Sequence, residues 1–163
     1  IQLHRLNERD ITTILGTITR RFARVWLYYL GKQGIIVACQ HDCSPHPQAV
    51  TRLLNTDTLQ PTLALFEGGL GQILDARLLD DAALRALIRA TKERMGLLPQ
   101  DLISTDNNLV LEYSTPRGNV YGYDESLDRN LRFLSAFRPG SPWRGTRLGP
   151  SDVPRGGTRG DPL

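Results

Sequence analysis

Apolar residues first recur at helical spacing. Ile11, Ile14, Leu15, Ile18 and Phe22 fall on one face, the pattern of an amphipathic helix. Asn7 stands before them as an N-cap, with Glu8 and Asp10 in the first turn and Arg20 and Arg21 at the far end. Carboxylates at the start and cations at the finish both suit the helix dipole. The character then changes. Val25-Trp26-Leu27-Tyr28-Tyr29-Leu30 and Ile35-Ile36-Val37-Ala38-Cys39 are β-branched and aromatic runs joined by Gly31-Lys32-Gln33-Gly34, which predicts an antiparallel hairpin. Residues 2–4 read as the end of a strand leading into the helix. Strand, helix and hairpin in that order is how many open α/β sheets finish.

After Ser44 the pattern is less regular. Pro45 and Pro47 break the strand, residues 48–54 read as a short helix, and the apolar stretches 62–66 and 70–79 fit helix or strand equally. Asp80 is a cap for a helix carrying Leu84, Leu87, Ile88 and Met95 and closed by Gly96. Residues 109–113 (Leu-Val-Leu-Glu-Tyr) read as a strand ended by Pro116. A last helix starts near Asp124 with Leu127, Leu131, Leu134 and Phe137 along one stripe. No internal repeat is present.

Length and composition narrow the class. The chain has 163 residues, 40% hydrophobic and 23% charged, the size and balance of an ordinary globular domain. No apolar run reaches the roughly 18 residues that cross a bilayer. Residues 1–10 are charged and lack the apolar core of a secretory signal. An opening on Ile1-Gln2-Leu3 points to a processed or partial chain. The net charge is +3, and its position matters more than its size. Residues 138–163 hold five Arg against two Asp, so the whole excess sits there, among six Gly and five Pro. Such a segment has little to bury and is expected to be disordered. A nucleic-acid-binding domain concentrates basic residues on a folded face, and residues 1–137 are balanced, so no nucleic-acid partner is expected.

Candidate chemistry is sparse. Cys39-Gln40-His41-Asp42-Cys43 puts three metal-ligating residues, Cys39, His41 and Cys43, on one face of an extended strand. Neighbours on that face are about 7 Å apart, too far for one zinc without a turn. A strand end with two free thiols is the simpler reading, and no metal site is assigned. Gly68-Gly69-Leu70-Gly71 lacks the preceding strand and the following acidic residue of a nucleotide loop, so a turn is expected. His4, His41 and His46 have no nucleophile beside them, and no catalytic residue is assigned.

The most distinctive stretch is Ile103-Ser104-Thr105-Asp106-Asn107-Asn108-Leu109-Val110-Leu111-Glu112-Tyr113-Ser114-Thr115-Pro116-Arg117. Its polar residues can close backbone turns with their own side chains. It resembles the C-terminal signature of spermidine synthase-like proteins of the long bacterial, membrane-fused type, with Asn107 where a second Asp is usual. Gln2-Leu3-His4-Arg5-Leu6-Asn7, the helix, Val25-Trp26-Leu27-Tyr28 and Gly31-Lys32-Gln33-Gly34-Ile35 resemble the end of that family's catalytic domain. The likeness runs from residue 1 to about 137.

The resemblance implies a fold class of α/β. Residues 1–43 would be the C-terminal end of a Rossmann-like sheet and residues 44–137 a mainly helical α+β extension, while residues 138–163, the expected disordered tail, fall outside the likeness. It implies aminopropyl transfer from decarboxylated S-adenosylmethionine, the family's co-substrate, to a small amine. The Gly-rich turn, the ribose-binding acid and the amine-deprotonating carboxylates would all lie upstream. This chain alone is therefore expected to be inactive and to bind no cofactor by itself. Gln2 is the candidate for the edge of the amine pocket, and Asp106 and Asn107 are candidates for lining a site. The missing N-terminal part would be the main partner, with a homodimer as a further option; the protein would be cytoplasmic, with a tether to the inner membrane through segments absent here as another. Two alternatives stand beside this reading: a non-catalytic interaction or scaffold module, and the end of an S-adenosylmethionine-dependent methyltransferase.

Overall fold

The computed structural model describes residues 1–42, 44, 46–105, 111 and 121–139. A capping box starts helix α1 (Glu8–Arg21): Asp10 N donates to Asn7 Oδ1 at 2.9 Å, and Asn7 N reaches back to Asp10 Oδ2 at 3.5 Å. The periodic apolar face then carries Ile11 and Leu15 wholly out of solvent. Strands β1 (Arg24–Leu30) and β2 (Gln33–Cys39) follow as the expected hairpin, paired from Arg24↔Cys39 to Leu30↔Gln33. The turn is tighter than the four-residue run suggests. Gly31 and Lys32 both take positive φ, 56° and 64°, which is the two-residue turn whose twist matches the strands. Gln33 and Gly34 are thereby released into β2.

Three short helices come next: α2 (Pro47–Leu54), α3 (Gln60–Leu63) and α4 (Gly69–Asp75). Strand β3 (Arg77–Leu79) then pairs antiparallel with β1, giving the sheet order β2-β1-β3. Asp80 caps helix α5 (Asp81–Met95) by accepting from Ala83 N at 2.8 Å, and the helix ends on Gly96 in the left-handed region. A 3-10 turn at Pro99–Leu102 precedes the final helix, α6 (Tyr123–Ser135). The described chain is thus mixed α/β, with a three-stranded antiparallel sheet and helices.

Strand alternation sorts the sheet into two faces. Val25, Leu27 and Leu79 point to one face and are fully buried against Leu15 of α1, Leu84 and Leu87 of α5, and Leu134 of α6. Tyr29, Ile36 and Ala38 flank this cluster on the same face. On the other face Ile35 is 45% and Val37 37% exposed, while Trp26 lies under the Arg77 guanidinium, 5.0 Å from its ring centroid. The core draws on residues before and after position 43 alike.

Some expectations change. Residues 2–4 do not end a strand: Leu3–Arg5 is a 3-10 turn closed by Arg5 N donating to Gln2 O at 3.0 Å. The cause is distant, because the Asn130 side chain of α6 holds the carbonyls of Leu3 and Leu6. Within the strand expected over residues 109–113, Leu111 is helical and the other four lie outside the described residues. Gly68 and Gly69 open α4 rather than forming only a turn. The tail beyond Pro139 also lies outside the described residues.

Candidate functional site

Gln2 stands at the entrance to the Leu3–Arg5 turn with its backbone extended (φ −88°, ψ 90°) and its residue exposed. Its side chain makes no capping bond, so its amide is available to a ligand. The turn beneath it is rigidly held. Leu3 is fully buried, and Asn130 Nδ2 donates to Leu3 O at 2.7 Å and Leu6 O at 2.6 Å. Asn130 is itself 3% exposed, so both of its donors are spent on holding the turn to α6.

His4, on the same turn, lays its ring on Tyr123 at 4.2 Å between centroids and 36° between planes. Its Nδ1 is buried and meets no hydrogen-bond partner among the described residues. Tyr123 opens α6, and Asp124 and Glu125 follow in the first turn, exposed. Just before the helix, Tyr121 accepts the Arg129 guanidinium over its ring at 4.2 Å. Near Gln2 the chain therefore offers an exposed amide and, across His4, the ring of Tyr123, while the Tyr121 face is already covered by Arg129. Aromatic faces and carboxylates both attract ammonium groups, and the start of α6 offers both in Tyr123, Asp124 and Glu125. It contains no paired nucleophile and base.

The other sequence candidates do not join it. Asp106 and Asn107 lie outside the described residues. Ser104, just before them, donates its N–H to Thr17 Oγ1 at 2.9 Å. Thr17 is ten residues along α1 from Asn7, about 15 Å at the rise of a helix, so Ser104 is held well away from the helix start. Cys39 is disulfide-bonded rather than a free thiol, which removes it as a thiolate ligand. No cluster of three His, Cys, Asp or Glu able to hold a metal occurs among the described residues. No described helix is long and apolar enough to cross a membrane.

Two groups were not singled out from sequence. Asn130 is one; it falls three residues after Leu127, on the buried side of α6, and a polar residue there signals a buried hydrogen bond. Asp81 is the other. Its Oδ1 accepts from Val25 N at 3.1 Å and its Oδ2 from Arg85 Nε at 2.9 Å, with Arg24 at 3.7 Å. This cluster fastens the start of β1 to α5 and is structural. A hollow of about 210 Å³ lined by Asp75, Arg77, Asp80 and Arg138 is smaller than the usual ligand pocket and includes none of the residues around Gln2.

Tyr28 has a perturbed acidity. Burial raises its phenol above the ordinary value of 10.0, and Arg77 beside it pulls the other way. No protein-family model, curated protein or solved structure matches this chain.

Proposed function

We propose that this chain is the C-terminal part of a spermidine synthase-like protein, an aminopropyltransferase whose nucleotide-binding and proton-accepting residues lie upstream. In this reading the hairpin closes a Rossmann-like sheet, and the α5 and α6 helices cap it. Decarboxylated S-adenosylmethionine is the donor, a small amine the acceptor, and the chain by itself is inactive. Cytoplasmic placement, with membrane-spanning segments elsewhere in the parent, belongs to the same proposal.

The observation that supports the reading is the contact between the turn after Gln2 and the start of α6: the His4 ring rests on Tyr123, and Asp124 and Glu125 follow Tyr123 along the helix. An amine acceptor needs aromatic and acidic groups of this kind because it arrives as a cation and must be held before it loses its proton. The aminopropyl transfer itself needs a carboxylate at close range to take that proton, which the reading assigns to the upstream part. Calorimetric titration of decarboxylated S-adenosylmethionine tests it. The 163-residue chain is expected to show no heat of binding, and the longer product of the same gene to bind and then turn over with an amine. A longer product that binds no nucleotide contradicts the proposal.

A specific observation favours a second reading. β3 covers the far edge of β1 and shares its core, as a self-contained interaction module would. In that case the longer product stays silent in the titration, and the 163-residue chain is a monomer with a single sharp melting transition.

A further inference from the structure

The direction of each backbone group on β2 follows from its neighbours. Tyr29 N donates away from β2, to Ala76 O at 2.9 Å, and Val25 N does the same toward Asp81 Oδ1 at 3.1 Å. In an antiparallel ladder, facing residues alternate between exchanging both hydrogen bonds and exchanging none. Tyr29↔Gly34, Leu27↔Ile36 and Val25↔Ala38 are therefore the pairs without mutual bonds. Gly34, Ile36 and Ala38 aim their N–H and C=O groups at the outer edge of the sheet.

At Gly34 that edge is already engaged. Gly34 N donates to Ile1 O at 3.0 Å, and Ile1 N donates to Gly34 O. A reciprocal pair of this kind is one rung of an antiparallel ladder. The approach is close enough to need glycine: a Cβ at residue 34 would sit 2.9 Å from Ile1 Cγ1 and 3.3 Å from Leu3 Cδ2. Past this rung β2 is an outer strand, and among the described residues no strand pairs with Ile36 or Ala38 on that outer side.

We propose that the outer edge of β2 receives a fourth strand, antiparallel to it, formed by the residues that lead into Ile1 in a longer form of this protein. The inference rests on the reading of the chain as a C-terminal part, and adds where and in what register the rest joins. Continuity with the Ile1–Gly34 rung selects this occupant. The residue two before Ile1 pairs with Ile36, and the residue four before it pairs with Ala38. Both share the face of Ile1, Ile36 and Ala38, which packs against the core, so both are apolar. β2 then becomes an interior strand, and an edge that would otherwise template aggregation is covered.

Residue-resolved amide hydrogen exchange tests this on the 163-residue chain and on the product of the same gene extended upstream. In the shorter chain Ile36 and Ala38 are expected to exchange roughly 100-fold faster than Ile35 and Val37, whose amides face β1. In the longer product the first two slow by roughly 100-fold. Ala38→Pro removes only an outward N–H, a change edge strands accept. It is expected to leave the shorter chain folded and to undo the slow exchange of Ile36 in the longer one. Fast exchange at Ile36 in the longer product overturns the proposal. So does protection in the shorter chain that grows with protein concentration and accompanies a dimer, since a second copy would then hold the edge. A longer product that protects Ile36 yet binds no decarboxylated S-adenosylmethionine leaves the fourth strand standing and removes only the enzymatic reading.

Discussion

The body formed by β1, α1, α5 and α6 differs from the segment 46–75 in what its apolar residues face. In the body, Leu15, Leu27, Leu84 and Leu134 meet one another and are fully buried. In the segment, α2, α3 and α4 bury no residue at all, and Leu53, Leu54 and Leu65 are 42%, 47% and 80% exposed. Both regions are rich in leucine. The lesson is that an amphipathic stripe stabilises only when a second stripe lies opposite, and among the described residues this arm has none against it.

Substitutions sharpen that contrast. Leu27→Ala empties the centre of the body and should cost about 2–5 kcal/mol in denaturant unfolding. A loss below 1 kcal/mol would mean the core is not packed as described. Asn130→Ala strips the carbonyls of Leu3 and Leu6 of their shared donor, with an expected cost of about 1–3 kcal/mol. Lys32→Gly relieves a left-handed residue in the hairpin turn and should raise stability by about 0.5–1 kcal/mol. If it lowers stability instead, the turn is of another type.

Because burial raises the Tyr28 phenol above 10.0, the folded state favours its protonated form. That contribution is complete below pH 10.0 and is lost as pH rises through the folded value. Tyr28→Phe should flatten this alkaline decline in thermal unfolding, and an unchanged decline would assign it to other groups. Leu65→Ala, in the arm, should change stability by less than about 0.5 kcal/mol. A core-sized loss there would show that the arm is packed after all.

Local signals were legible where they were enough to decide the structure. Asn7 and Asp80 mark the starts of α1 and α5 because a cap is made within three residues. The hairpin follows from alternating apolar runs and a glycine-bounded turn. Distant causes were not legible. The turn at Leu3–Arg5 depends on Asn130, 127 residues away from Leu3. β3 is three residues long within an apolar stretch that fits helix equally, and only the edge of β1 selects the strand. Of the candidate site, Gln2 could be read from sequence, but the contact of Tyr123 with His4 could not, because nothing local brings α6 to the first turn.

Hydrogen exchange followed along the whole chain tests the division between body and arm most directly. Amides of α1, β1 and α5 should be protected by roughly a thousandfold or more, while those of residues 47–75 exchange within about tenfold of unfolded peptides. Equal protection in both regions would contradict the account.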